Sequence, residues 1–78
     1  MKAIMLIVVE PNKLDDVSKK LSKIPEVTKV YEITGEFDVF IELEFESIDV
    51  FRRILKEQIM KINGVRMTQS SIVMSEWK

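Results

Sequence analysis

The sequence contains no cysteine and no histidine among its 78 residues. Without cysteine the chain can form neither a disulfide nor a thiolate metal site. Without histidine it lacks the commonest metal ligand and the commonest general base. We therefore predict no metal, no cofactor and no catalytic residue. A chain this short buries a small core, and self-association is the remaining common way to add buried surface.

An excess of charge is also missing, because 12 basic residues stand against 13 acidic ones and the net charge is -1. Dedicated nucleic-acid binders usually carry a basic stripe, so we predict no direct nucleic-acid partner. The apolar run at residues 3–9 is much shorter than the roughly 20 residues of a membrane span. No small-residue cleavage site follows it. These features predict a soluble, cytoplasmic protein without a membrane partner.

Glycine and proline are scarce, with two of each, and three of the four lie between runs of different periodicity. A short apolar run predicts a strand at residues 3–9, and alternating apolar and polar residues predict strands at residues 27–34, 39–45 and 65–77. Apolar residues at helical spacing predict helices at residues 14–24 and 48–62. Ser47 is the predicted N-cap of the second helix, and Gly64 is its predicted C-terminal glycine.

An internal repeat with a shift of 38 residues relates the two halves of the chain, so that Val17 matches Leu55 and Leu21 matches Ile59. Two β-α-β units with right-handed crossovers form a four-stranded antiparallel sheet with both helices on one face. The predicted fold is therefore an α+β, ferredoxin-like βαββαβ domain that spans residues 1–78. Its first and third strands are central.

The first strand is apolar on both of its faces, which indicates that both faces are covered. The two helices cover one face, and we expect Phe40, Ile72 and Met74 to join the apolar residues of the other. Soluble monomers rarely expose an apolar patch of this size. We predict a twofold dimer that packs sheet against sheet; the alternative is that these side chains are ordinary surface residues.

The turn between the second and third strands is the best candidate for ligand binding. Gly35 can direct backbone N–H groups toward an anion, and Asp38 can accept hydrogen bonds from an ammonium group. In the last strand, the hydroxyls of Thr68, Ser70 and Ser71 suit either charge. Together these groups could hold a free amino acid. The alternative is that Asp38 only braces the hairpin and that the hydroxyls are ordinary edge-strand residues.

Three segments of the chain resemble the effector domain of the Lrp/AsnC family of transcription regulators. That domain is called RAM, for regulation of amino acid metabolism. The segments are residues 24–27 and 62–68, at the two helix exits, and residues 30–38, which contain the family's Thr-Gly-x-x-Asp turn as Thr34-Gly35-Glu36-Phe37-Asp38. The resemblance extends over essentially the whole chain.

The resemblance implies dimers that pair through their sheets and assemble into rings, commonly octamers, with amino-acid effectors bound in clefts between dimers. The implied ligand-binding residues are those of the turn and the last strand: Thr34, Gly35, Glu36, Phe37, Asp38, Thr68 and Ser70. Full regulators carry a helix-turn-helix domain before the first strand, whereas Met1 and Lys2 lead directly into that strand. The chain thus resembles a stand-alone RAM module, which would sense amino acids or modulate full-length regulators without binding DNA itself.

Two other functions remain open from the sequence. A small enzyme of the dimeric α+β barrel type would share the sheet-to-sheet dimer but would need a catalytic acid or cofactor. Glu42, Glu44 and Glu46 alternate with core residues, and we expect them to form a solvated face rather than an acid–base pair. The other alternative is a structural or adaptor oligomer without a ligand.

Overall fold

The structure, a computed structural model, describes residues 1–78 and contains the predicted elements in the predicted order. The strands are β1 (Lys2–Val9), β2 (Val27–Glu32), β3 (Val39–Glu44) and β4 (Val65–Ile72). The helices are α1 (Leu14–Leu21), preceded by a 3-10 turn (Pro11–Lys13), and α2 (Ile48–Ile54), which continues into a π-helical turn (Leu55–Ile59). No helix is both long enough and apolar enough to cross a membrane.

The sheet is antiparallel throughout, and its strands lie in the order β2-β3-β1-β4. This order confirms the ferredoxin-like prediction with β1 and β3 in the centre. One row of paired residues crosses three strands: Ile7 of β1 pairs with Val39 of β3 on one side and with Thr68 of β4 on the other.

The core lies between the sheet and the two helices and is wholly apolar. Alternate residues of β1 and β3 are buried, because successive side chains of a strand point to opposite faces. No polar or charged residue is buried. The core residues are Ala3, Met5, Ile7, Val9, Val17, Leu21, Ile24, Val39, Ile41, Leu43, Phe45, Phe51, Ile54 and Ile59.

Helix α2 begins as predicted, with the Ser47 hydroxyl accepting a hydrogen bond from the backbone N–H of Val50 at 3.3 Å. It does not continue as a regular α-helix, because the N–H of Met60 donates to the carbonyl of Leu55, five residues earlier, at 2.9 Å. The buried residues Ile54 and Ile59 are separated by five positions. The wider π turn is what brings both onto the core side.

Several predicted element ends are wrong. The first helix ends at Leu21 rather than residue 24, and the second helical segment ends at Ile59 rather than residue 62. β2 ends at Glu32 rather than residue 34, and β4 ends at Ile72 rather than residue 77. The N–H of Val73 still donates to the carbonyl of Lys2 at 2.8 Å. Since β1 begins at Lys2, the residues after Val73 have no strand to pair with, and Trp77 is 95% exposed.

The second sheet face, which we call the outer face, carries the outward residues Ile4, Leu6, Val8, Tyr31, Phe40 and Met67. The predicted place of Phe40 is confirmed, since it pairs with Leu6 and its ring centroid lies 6.0 Å from that of Tyr31. The prediction for Ile72 was wrong: it pairs with Ala3 and therefore shares the helix side of the sheet. Met74 lies beyond β4 and is exposed, so strand pairing does not assign it to either face.

A charged group borders the outer face at the start of β1. The Nζ atom of Lys2 lies 3.2 Å from Oε1 of Glu76 and 3.8 Å from Oε1 of Glu42. The hydrogen bond that Lys2 donates to Glu76 and the charge of Glu76, together with the charges of Glu42 and Glu44, outweigh partial desolvation and raise the pKa of Lys2 above 10.5. This ion pair attaches the exposed C-terminal segment to the rim of the outer face.

We expect Lys2→Gln to release the end of the C-terminal segment without a measurable loss of global stability, because exposed ion pairs contribute little. Trp77 is the only tryptophan, so its fluorescence anisotropy should fall. Lys29→Gln, on β2, is the control and should leave the anisotropy unchanged. Because the folded-state pKa of Lys2 is raised, the contact is complete below pH 10.5 and is lost as the pH rises through the raised value. Equal anisotropy in both variants would contradict this assignment.

Candidate functional site

The turn of residues 34–38 connects β2 to β3 as a hairpin, as the sequence predicts. The N–H of Ile33 donates to the carbonyl of Asp38 at 2.9 Å and closes the turn. Gly35 has a φ of +110°, which side chains rarely tolerate, and a Cβ atom there would meet nothing within 4 Å. The glycine is therefore required by the backbone conformation and not by crowding. Thr34, Gly35 and Glu36 are exposed.

Asp38 ties this turn to the end of β1. Its Oδ2 atom accepts a hydrogen bond from the backbone N–H of Val9 at 2.8 Å, and its own N–H donates to the carbonyl of Ile7 at 2.9 Å. The bracing role that the sequence left as an alternative is thus present. Only Oδ2 is engaged within the chain, so Oδ1 has its lone pairs available for another donor.

Thr68 and Ser70 lie on β4, away from the turn within the same chain. Thr68 pairs with Ile7, whose other partner is Val39, the residue after Asp38. Two strand spacings therefore separate Thr68 from Val39, or roughly 10 Å. Ser70 pairs with Met5 and lies two residues farther along β4. Within one chain, the 34–38 turn and the hydroxyls of Thr68 and Ser70 therefore do not come into contact.

The chain contains two cavities, and neither includes the turn, Thr68 or Ser70. One lies beside the start of α1 and is lined by Pro11, Asn12, Leu14, Asp15 and Asp16. The other lies between the end of β3 and α2 and is lined by Glu26, Glu44, Phe45, Glu46, Val50 and Arg53. The turn itself is an open surface with one free carboxylate oxygen and a glycine-dependent backbone.

Comparison with known proteins decides the family. The family model described as "Lrp/AsnC ligand binding domain" matches residues 2–78. The chain belongs to the Lrp/AsnC ligand-binding domain family. This confirms the resemblance seen in residues 24–27, 30–38 and 62–68.

Relatives of this Lrp/AsnC domain are transcription regulators. The chain is 34% identical over 73 residues to an uncharacterized HTH-type transcriptional regulator of Pyrococcus abyssi, covering 94% of this chain and 46% of that protein. It thus spans about half the length of the curated relatives that it matches. Hypothetical protein PHS023 from Pyrococcus horikoshii superposes with a TM-score of 0.89 at 29% identity, covering 96% of this chain and 90% of that one.

A third comparison concerns a structure with a ligand. The transcriptional regulator NMB0573 from Neisseria meningitidis, solved as a complex with L-Met, superposes with a TM-score of 0.92 at 25% identity. The match covers 99% of this chain and 51% of that one. Over its whole length, this Lrp/AsnC domain therefore shares the fold of a regulator that was crystallised with an amino acid.

Some structural features of this Lrp/AsnC domain could not be predicted from sequence. The partner of Asp38 is a backbone N–H 29 residues away, and nothing in the side chain of Val9 signals it. The next N–H, that of Glu10, donates to the carbonyl of Gly64 at 2.9 Å and links β1 to the start of β4. The Lys2–Glu76 pair joins residues 74 positions apart and also leaves no local pattern.

Proposed function

We propose that the chain is a regulatory module that binds a free amino acid as its effector. Membership of the Lrp/AsnC ligand-binding family is the observation that carries this proposal. The L-Met complex of the Neisseria relative supports the ligand class. The geometry of the 34–38 turn adds a chemical reason, because it combines a free carboxylate oxygen with backbone N–H groups around Gly35.

Each charge of an amino acid has a partner in this arrangement. The free Oδ1 atom of Asp38 accepts from the α-ammonium group, and backbone N–H groups near Gly35 donate to the α-carboxylate. The remaining turn residues, Thr34, Glu36 and Phe37, border the ligand. Binding to an open surface alone would be weak, since ligand sites usually enclose most of the ligand.

A second copy of the chain supplies the missing wall. The roughly 10 Å between the turn and Thr68 within one chain is too long for hydrogen bonds to a shared ligand atom. We place Thr68 and Ser70 of a neighbouring copy opposite the turn, so that their hydroxyls complete the site. Sheet-to-sheet dimers through the outer face, assembled into a ring such as an octamer, would create this arrangement.

We also propose that the module neither binds DNA nor catalyses a reaction by itself. Its net charge of -1 gives no overall excess of positive charge for DNA, so control of transcription would pass through full-length Lrp/AsnC regulators that co-assemble with it in the cytoplasm. Because the matched relatives are regulators, we propose that the chain has no enzymatic activity.

A thermal-shift screen with the twenty common amino acids tests this function. A ligand at one hundred times its dissociation constant stabilises the protein by about 2.7 kcal/mol. For a domain of this size that corresponds to a rise in Tm of roughly 10 °C or more. We expect at least one amino acid to produce such a shift. If none does so at millimolar concentration, the proposed function is wrong.

A further inference from the structure

The cavity between the end of β3 and α2 is separate from the 34–38 turn. β3 runs from the turn to this cavity, and its length from Val39 to Glu44 corresponds to roughly 17 Å. The cavity volume is about 450 Å³, within the usual range of small-ligand pockets, roughly 300–1,000 Å³. An occupant of this cavity would therefore not touch the turn of the same chain.

The lining combines unpaired charges of both signs. No carboxylate oxygen lies within 4.0 Å of the Arg53 guanidinium. Both ion pairs of the chain involve Lys2. Glu26 and Glu46 have no cationic partner for the same reason. Glu44 contributes to the wall, but it pairs with Lys2 on β1, so its side chain belongs to the outer face. The charges available to the cavity are two carboxylates and one guanidinium.

Glu26 has the least complete hydrogen bonding of these charged groups. Its Oε1 atom is shut off from solvent and accepts no hydrogen bond. A buried acceptor without a donor is unfavourable, so a donor brought to this carboxylate would be stabilising. Next to the charged groups, the buried ring of Phe45 and the half-buried side chain of Val50 provide an apolar wall.

We propose that this cavity binds a basic amino acid, the class of lysine and arginine. Such a molecule has one carboxylate and two cationic groups, which match one guanidinium and two carboxylates in number and sign. The Arg53 guanidinium would hold the α-carboxylate in a bidentate pair. Glu26 and Glu46 would accept from the α-ammonium group and the side-chain cation, while the ligand's methylene groups pack on Phe45 and Val50.

Calorimetric titration with L-arginine and L-lysine tests the proposal. We expect Arg53→Gln to raise the dissociation constant about tenfold or more, because a charge-assisted bidentate contact is lost. Arg52→Gln is the matched control: it removes the same charge from the preceding, exposed residue, which does not line the cavity. Glu26→Gln should weaken binding as well, and L-citrulline, the neutral analogue of arginine, should bind more weakly than L-arginine.

Asp38→Asn separates this site from the turn. Unchanged arginine and lysine binding in Asp38→Asn, together with weakened binding in Arg53→Gln, would support the cavity. Binding lost in Asp38→Asn but kept in Arg53→Gln would overturn this inference and leave the proposed effector site intact. Equal effects of Arg52→Gln and Arg53→Gln would overturn it too, since they indicate a general charge effect. An absence of heat with either amino acid would overturn the cavity proposal alone.

Discussion

Leu6→Asp should convert the protein into a monomer of 9.1 kDa, the mass of one chain. Leu6 lies in the centre of the outer face, between Phe40 of β3 and Gln69 of β4. In a twofold dimer through this face, the substitution would place two unpaired carboxylates in the apolar interface. Burial of each unpaired charge costs several kcal/mol, which corresponds to a rise of at least about a thousandfold in the dimer dissociation constant.

Sedimentation equilibrium measures this effect. The fold should persist, because Leu6 faces away from the core and is half-buried within one chain. Gln58→Asp adds the same charge at an exposed position of the helical segment Leu55–Ile59, on the other side of the sheet, and should weaken association far less. A wild-type protein that sediments as a monomer, or a Leu6→Asp variant that remains a dimer, would contradict the proposed interface.

Gly64→Ala should cause the largest loss of stability among single-methyl substitutions. Gly64 has a φ of +108°, and an added Cβ would lie 2.6 Å from the Cβ of Lys13 and 3.1 Å from Cγ2 of Val17. The backbone conformation costs an alanine roughly 1–2 kcal/mol, and the overlap adds about 1–3 kcal/mol. Lys13 is held by its own N–H, which donates to the carbonyl of Glu10 at 2.9 Å, so relief requires movement of the backbone.

Gly35→Ala is the matched control, because Gly35 has nearly the same φ but no atom within 4 Å of the added Cβ. It should lose only the backbone contribution of roughly 1–2 kcal/mol. Urea unfolding of both variants at equal protein concentration gives the difference. If both lose the same free energy of unfolding, the contact with Lys13 and Val17 does not constrain the fold.

Local patterns were enough to predict most of the fold. The two-sided apolar character of β1 indicated a central strand, and the Ser47 cap marked the start of the second helical segment. The prediction of Gly64 as its C-terminal glycine was wrong, because the segment ends at Ile59 and Gly64 directly precedes β4. Where prediction failed, the cause was non-local. The alternating residues after Ile72 continue a strand pattern, yet only Lys2 of β1 remains beyond the Ala3–Ile72 pair, and it bonds to Val73 alone. The π turn shows in the sequence only as a five-residue spacing between Ile54 and Ile59.

The candidate site was predicted less completely than the fold. The turn motif predicts Gly35 and Asp38 as binding residues; the structure places both in the hairpin turn, and their binding role stays a prediction. The sequence alone could not show that Asp38 already uses one oxygen for Val9, because that bond depends on how β1 meets the hairpin. Nor could it show that Thr68 and Ser70 lie two strands away from the turn, which is the reason for placing a second copy at the site.

The central claim is that Asp38 binds the ammonium group of an amino acid, and comparing the wild type with Asp38→Asn tests it most directly. The amide oxygen of asparagine can still accept from the N–H of Val9, so fold and assembly should remain, but the negative charge is gone. In calorimetric titrations with the amino acid that gives the largest thermal shift, we expect affinity to fall roughly 10- to 150-fold, the equivalent of about 1.5–3 kcal/mol. Wild-type affinity in Asp38→Asn would show that Asp38 only braces the hairpin and would contradict the account.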